Sequence, residues 1–253
     1  MRLEEKKMNN IKLNSIKRQD DFLIFEDDSS KIVMSTAEKN KSFNRHTDEG
    51  ILELENLKKD FNAQSVLYLR QVHSDKVFIY DGQAETDFRE NEGDAIITDC
   101  KNVIIGVFTA DCVPIILIDR EKNVCAAIHS GWKGTFNSIT EKTINKLKEE
   151  YGTDPKDLKA YIGAHIRKCC YEVSEELKEK FLEEKDILEE NLFKGRHLSM
   201  EECIIKDLRK AGLIEKNINS ISLCTHCSED IKLHSYRKSK GLYGRLFSFI
   251  ILK

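Results

Sequence analysis

The sequence predicts an α+β fold, with mixed β-sheets covered by helices in a single compact domain. Two observations predict it: short apolar runs of strand length crowd the middle of the chain, and the second half alternates such runs with helical spacing. Residues 1–30 read as a polar N-terminal extension ending in a first strand at Phe22-Leu23-Ile24-Phe25, followed by one domain over 31–253. A second short strand is expected at Ile32-Val33-Met34. Asp48 to Phe61 spaces Leu52, Leu54 or Leu57, and Phe61 as one face of a helix. Strands are expected next at Ser65 to Leu69, Lys76 to Tyr80, Ala95 to Thr98, Val103 to Thr109, Pro114 to Ile118 and Val124 to Ile128. Several of these are unbroken apolar runs, which predicts strands covered on both faces. Thr135 to Tyr151 places Phe136, Ile139, Thr143, Leu147 and Tyr151 on one stripe, and Val173 to Leu188 repeats the pattern through Leu177, Phe181 and Leu188. Ser199 followed by Glu202 is a capping-box signature, with Gly212 as the stop of that helix. Further strands are expected at Ala160 to Ile162, Ile218 to Leu223, Ile231 to Tyr236 and Leu246 to Leu252. The chain has no internal repeat or Pro/Gly-rich linker; its two prolines are Pro114 and Pro155.

Composition excludes several classes. Of 253 residues, 40% are hydrophobic and 34% charged, with a formal net charge of -3 and a pI near 6.2. A nucleic-acid binder ordinarily shows a basic face, whereas the Lys-rich stretches here are interleaved with Glu and Asp as solvated helix faces. The stretch from Met1 to Lys7 lacks the apolar core of an export signal, and Val103 to Ala110 and Phe247 to Leu252 are too short to span a bilayer. Five of the eight cysteines lie in apolar runs or on a helix face, so they read as buried thiols plus one or two ligands in a reducing compartment. The expectation is a cytoplasmic monomer with no nucleic-acid or membrane partner.

Three residues carry candidate chemistry. Cys112, in Thr109-Ala110-Asp111-Cys112-Val113-Pro114, and His129, in His129-Ser130-Gly131-Trp132-Lys133-Gly134-Thr135, each close an apolar run. His73, in Arg70-Gln71-Val72-His73-Ser74, sits in a tight connection between two expected strands. Taken singly, each has a plain reading: a buried thiol, a strand-to-helix turn, a surface histidine. Taken together, two imidazoles and one thiolate would make an open transition-metal site, three protein ligands with a fourth position left for water. Around His129, the glycines permit close backbone approach, while Lys133 and a following helix favour an anion. Cys224-Thr225-His226-Cys227 has C-x-x-C spacing but no evident second half. The adjacent Cys169-Cys170 pair suits chelation poorly, so this cluster is assigned to packing.

At these residues the chain resembles the laccase-domain family, also called multicopper polyphenol oxidoreductases or YlmD-type purine nucleoside phosphorylases. The resemblance runs from about Val33 to the C-terminus. It also rests on Gly93-Asp94-Ala95-Ile96-Ile97-Thr98, Ile162-Gly163, Cys170-Tyr171-Glu172-Val173, Leu223-Cys224-Thr225, Ser235-Tyr236-Arg237 and Gly244-Arg245. It implies an α+β fold and a mononuclear centre in which His73, Cys112 and His129 hold zinc, with copper as the other ion proposed for the family. It further implies chemistry on purine nucleosides: phosphorolysis of adenosine, inosine, guanosine and methylthioadenosine, and hydrolytic deamination of adenosine. A link to peptidoglycan editing belongs to the same family. The chain departs from the family pattern at Ser35 to Asn44, where a Gly-Gly stretch is usual, and at Leu198 to Glu202. Arg70, Lys133 and Arg245 are the cations expected to meet phosphate, Asn44 is expected to bond ribose or base, and Asp94 and Asp111 are candidate acids by position. The rivals are a metal-independent Cys-His hydrolase, with Cys112 as nucleophile and His129 or His73 as base, and a copper-dependent polyphenol oxidase. For the latter, one three-ligand site offers no route for the four electrons of dioxygen reduction.

Overall fold

A computed structural model gives the fold over residues 8–242 and 244–253. The chain begins with β1 (Asn9–Ile11), β2 (Lys17–Gln19), β3 (Phe22–Glu26) and β4 (Ser30–Ser35), then α1 (Asp48–Asp60). There follow β5 (Ser65–Leu67), β6 (Val77–Tyr80), α2 (Glu85–Arg89), β7 (Ala95–Thr98), β8 (Val103–Thr109), β9 (Val113–Asp119) and β10 (Val124–Ser130). The second half holds α3 (Trp132–Phe136), α4 (Ile139–Tyr151), β11 (Lys159–Ile162), α5 (Glu175–Glu184) and α6 (Glu189–Leu192). It ends with the hairpin β12 (Phe193–Lys194) and β13 (His197–Leu198), α7 (Met200–Ala211), β14 (Ile218–Ile221), α8 (Tyr236–Ser239) and β15 (Leu246–Leu252).

Two sheets stack, one in the order β1-β14-β11-β9-β10-β7-β6 and the other β2-β3-β4-β15-β8-β5. Their unbroken apolar strands have a simple cause, since each sheet is covered on both faces. Along β9, Val113, Ile115 and Leu117 meet Ile139, Ile144 and Leu147 of α4 and Ile204 and Leu208 of α7. Ile116 and Ile118 point the other way, against Ile105 and Val107 of β8 and Ile250 of β15. The outer face of β8, through Ile104 and Phe108, packs with Leu54 and Leu57 of α1. The result is four layers, helix, sheet, sheet and helix, as the two-faced apolar runs predict.

Four differences from the sequence reading have local causes. The helix expected over 135–151 is split, because Ser138 adopts a left-handed φ of 56° between α3 and α4. The helix expected to reach Leu188 ends at Glu184, and its Ser174 hydroxyl caps the Leu177 N–H at 3.2 Å. Ile231 to Tyr236 is no strand: Ile231 and Leu233 pack between the sheets, but Ser235 caps α8 and ends the extended run. Residues 9–26 supply β1 to one sheet and β2 and β3 to the other. The Ser199 cap and the Gly212 stop, with φ 108°, stand as expected.

What positions the site is the set of connections that change sheet. Residues 68–76 pass from β5 to β6, 110–112 pass from β8 to β9, and 222–242 with 244–245 lie between β14 of one sheet and β15 of the other. They meet beside the end of β10, where His129 pairs with Pro114 and Ser130 with Val113.

Candidate metal centre

Each donor residue is held by the backbone around it. His129 is the penultimate residue of β10 and is 3% exposed. Cys112 follows Asp111, whose φ of 92° turns the chain sharply out of β8. His73 has a φ of 58° in its cross-sheet loop. One donor atom from each of the three lies within 4.8 Å of the other two, with Cys112 Sγ 3.8 Å from His73 Nε2. The two imidazoles meet edge to face, their centroids 4.9 Å apart. Gly131 is required here by space: a Cβ on it would stand 2.7 Å from His73 Cδ2 and 3.1 Å from Cys112 Sγ.

Asp94 organises the group. Its fully buried carboxylate accepts from the backbone N–H of His73 at 3.1 Å and of Ser74 at 2.6 Å, and from the Ser74 hydroxyl at 2.7 Å. The same carboxylate faces His129 Nδ1 at 2.8 Å. Burial pushes Asp94 up, but the bonds from His129 and Ser74 outweigh it and hold the carboxyl below its ordinary value. Burial likewise pushes the Cys112 thiol up, and the charge and hydrogen bonds of His129, then His73, pull it down to about 6. Burial would lower His129, yet the Cys112 sulfur and Asp94 raise it to about 9. The outcome is a thiolate–imidazolium pair backed by a carboxylate.

This donor set fits a transition metal. Two imidazole nitrogens and one thiolate on three separate elements are the ligands of an open zinc-type site, and Asp94 on Nδ1 fixes the tautomer that leaves Nε2 free to ligate. Asp111 has a different task. Its Oδ1 accepts from Thr225 Oγ1 at 2.6 Å and its Oδ2 from the Arg237 N–H at 2.8 Å, tying the Cys112 loop to the returning chain. Both Asp94 and Asp111 therefore serve as acceptors that hold loops.

A cavity of about 460 Å³ opens on the three donors and is lined by Asn44 and Arg245, together with Arg45, Trp132, Tyr171 and Arg237. Arg70 is outside that lining, paired at 3.5 Å with Glu92, and Lys133 is outside it too, its Nζ 5.6 Å from the Trp132 ring centroid. Arg45 and Arg237 are the lining cations the sequence reading missed. Arg45 donates to the Leu69 carbonyl at 2.6 Å and sits in a polar loop without periodicity. Arg237 lies over the Tyr171 ring at 5.2 Å, and its place in Ser235-Tyr236-Arg237 was the available signal. The second cysteine group, assigned from the sequence to packing without an evident second half, does find one in space: Cys169, Cys170, Cys224 and Cys227 bring all four sulfurs within 4.8 Å of one another.

Fold and site together define a two-sheet α+β protein with an open three-donor centre beside a small-molecule cavity. Residues 47–253 match the family described as multi-copper polyphenol oxidoreductase laccase, and the chain belongs to that family. It is 45% identical over 233 residues to a purine nucleoside phosphorylase of Clostridium acetobutylicum, covering 92% of this chain and 96% of that one. An adenosine deaminase from an unknown prokaryotic organism is 31% identical over 195 residues, covering 73% and 74%. The crystal structure of Bacillus licheniformis YfiH superposes with a TM-score of 0.86 at 24% identity, covering 95% of this chain and all of that one, which shows the shared fold. Among the described residues no helix is long and apolar enough to cross a membrane.

Proposed function

We propose that this chain is a zinc-dependent purine nucleoside enzyme that phosphorolyses adenosine, inosine, guanosine and methylthioadenosine and hydrolytically deaminates adenosine. The observation that carries the proposal is the convergence of His73, Cys112 and His129 within 4.8 Å on a cavity of about 460 Å³, a size suited to a small ligand. The substrate class comes from the names of the relatives. His73, Cys112 and His129 would hold the ion, with copper as the alternative occupant. When bound, the ion supplies Lewis-acid polarisation at neutral pH.

The other steps belong to the side chains. In phosphorolysis a phosphate oxygen bonds to the anomeric carbon as the bond from that carbon to the purine nitrogen breaks. The purine takes up the proton released by the phosphate, and the products are the free base and ribose-1-phosphate, or its 5-methylthio form from methylthioadenosine. Arg45, Arg237 and Arg245 line the cavity and offer cations to the phosphate, while Phe108, Trp132 and Tyr171 offer apolar faces to the base. Asn44 is placed to bond ribose or base. In deamination water adds at C6 and ammonia leaves, converting adenosine to inosine in the same cavity. Asp94 keeps the His129 ring oriented throughout.

Incubation with inosine, with and without phosphate, tests the reading. Ribose-1-phosphate is expected only with phosphate, and ammonia is expected from adenosine. Cys112→Ala should abolish both, and activity surviving that substitution overturns the centre. One observation favours a second reading. The Cys112 thiol, held near 6 beside an Asp94-backed His129, is also the arrangement of a metal-independent Cys-His hydrolase. Dialysis against a strong chelator separates them, since a thiol enzyme keeps its activity and a zinc enzyme loses it.

A further inference from the structure

Four of the eight cysteines gather outside the cavity. Topology brings them there. β11 and β14 are parallel neighbours, and each runs into a turn at the same end of the sheet: Arg167 to Cys170 after β11, Cys224 to Cys227 after β14. The turns are stitched together by Thr225 N–H to the His165 carbonyl at 3.0 Å and His165 N–H to Leu223 at 3.4 Å. Each turn thus delivers two sulfurs to one point. Cys169 and Cys227 are exposed, Cys170 is half-buried and Cys224 is buried. Two exposed thiols in one group are unusual for a residue type that ordinarily hides in cores.

The distances suit one ion. A tetrahedral zinc with Zn–S bonds of about 2.3 Å sets its sulfurs ~3.8 Å apart. Here Cys169 Sγ and Cys227 Sγ are 3.5 Å apart, and all four sulfurs lie within 4.8 Å. A polynuclear iron–sulfur cluster would hold its thiolates farther apart. A single disulfide would consume two of the four and leave Cys170 and Cys224 unexplained. The buried sulfur is also prepared for negative charge: the Arg167 N–H points at Cys224 Sγ from 3.5 Å, and the N–H groups of Cys227 and His226 turn toward it as well. Arg167 itself is anchored, its guanidinium 2.8 Å from the Glu201 carboxylate of α7.

We propose that Cys169, Cys170, Cys224 and Cys227 hold a second metal ion, a single thiophilic cation of the zinc class in a closed tetrathiolate shell. Four protein ligands leave no open position, so the ion is structural. Its position gives it a task. Tyr171, next to Cys170, and Ile166 line the cavity, and Thr225, inside the C-x-x-C turn, bonds Asp111 beside Cys112. The ion therefore fixes the two turns that shape one wall of the site. This holds whatever reaction the cavity supports.

The test uses the full chain carrying Cys112→Ala, purified under reducing conditions and titrated with cobalt(II). With that thiol gone, the sulfurs left outside the four-cysteine group, Cys100, Cys125 and Cys203, belong to no donor cluster among the described residues, so charge transfer of multi-thiolate intensity comes from the four-cysteine group. We expect one tightly held equivalent with intense near-ultraviolet charge transfer and tetrahedral d–d bands, displaced by zinc. Adding Cys169→Ser or Cys227→Ser, both at exposed positions, should weaken that binding by more than about tenfold. Metal analysis of the unmodified chain should give one thiophilic ion beyond that of the three-donor centre. The proposal is overturned if the Cys112→Ala chain takes up no cobalt with thiolate bands, if the bands persist unweakened in the serine variants, or if the metal recovered is several irons with labile sulfide. Should a serine variant misfold, the Cys112→Ala titration alone decides.

Discussion

The His73–Cys112–His129 centre and the four-cysteine group lie on neighbouring loops of one sheet, yet they are built on opposite plans. The first mixes two imidazoles with one sulfur, spreads them over three cross-sheet segments, and borrows a buried carboxylate, Asp94, to orient a ligand. The second uses sulfur alone, takes it from two turns at the ends of adjacent parallel strands, and has backbone N–H groups where the first has a carboxylate. Charge explains the difference. Two neutral imidazoles and one thiolate leave a divalent ion with a net positive charge and an open face, which favours an oxygen ligand or an anion in the cavity. Four thiolates overcompensate the same ion and close it off, and N–H donors offset the surplus negative charge. One end of the sheet thus carries two donor groups, one that would leave an ion open to the cavity and one that would close it off, and what separates them is donor type and count.

The largest expected contrast is in pH dependence. Near neutral pH the three-donor centre already has Cys112 as thiolate, its thiol lying near 6, while His129, raised to about 9, must lose a proton before its Nε2 can ligate. In the four-cysteine group local desolvation and the adjacent Cys227 thiol push the Cys169 thiol up to about 11, and Cys170 is likewise raised, so at least those two protons leave on binding. Metal affinity should therefore rise with pH at both, by about tenfold per pH unit at the first and by at least about a hundredfold at the second. As pH falls through 6 the first centre should steepen, because Cys112 then also takes up a proton. Competition with a chromophoric chelator across the neutral range, on chains lacking one centre or the other, measures both slopes. Equal slopes would erase the distinction.

Asp94→Asn comes next. The amide keeps the shape but loses the charge that holds His129 and the 72–74 loop, so affinity at the three-donor centre should fall about 10–100-fold with the four-cysteine group untouched. Asp94→Ala goes further, leaving the N–H groups of His73 and Ser74 and the His129 ring without their acceptor. We expect a loss of about 3–5 kcal/mol in urea denaturation. Equal weakening of both centres by Asp94→Asn would mean that the two do not act separately.

The two centres were unequally legible in the sequence. His73, Cys112 and His129 stood out because Cys112 and His129 follow unbroken apolar runs, and such runs become rigid strands whose ends sit at fixed places. The cysteine group was hidden because its assembly depends on sheet order: Cys169 and Cys227, 58 residues apart in the chain, meet only since β11 and β14 pair in parallel with Ala160 opposite Ile218 and Ile162 opposite Ser220. Adjacent cysteines looked like poor chelators because their separation in three dimensions depends on the turn, which local pattern does not fix. Asp94 was visible as the residue before a strand, but its role as an acceptor follows from the left-handed backbone at His73, which no periodicity signals. Arg45 and Ile231 to Tyr236 mark the same limit, a polar loop with a cation and an alternating run whose cap overrides its strand pattern.

A smaller effect should appear where the two centres touch. Thr225 lies between Cys224 and Cys227, and its hydroxyl reaches Asp111 at 2.6 Å, next to Cys112. Thr225→Val keeps the volume and removes a buried hydrogen bond to a carboxylate, at a cost of about 1.5–3 kcal/mol in stability. If the cysteine turn positions the Cys112 loop, the substitution should also raise KM several-fold while leaving cobalt binding by the four cysteines intact. A stability loss with unchanged KM would uncouple the wall from the site.

The smallest effect is expected at Arg70, which belongs to neither centre. Its motif suggested a phosphate-binding cation, yet its exposed guanidinium faces Glu92 at 3.5 Å, outside the cavity lining. Its backbone is the part that matters: Arg70 N–H donates to the Asn91 carbonyl at 3.0 Å and the Gly93 N–H returns a bond at 3.2 Å, which fixes the approach to Asp94. Alanine preserves both bonds. Arg70→Ala should thus change stability by no more than about 0.5 kcal/mol, as for an exposed ion pair, and leave KM for phosphate within about twofold. Arg237→Ala, by contrast, removes a lining cation stacked on Tyr171 and should raise that KM by about tenfold. A large phosphate defect at Arg70 with none at Arg237 would place the anion on the far side of the His73 loop and move the reacting face of the three-donor centre with it.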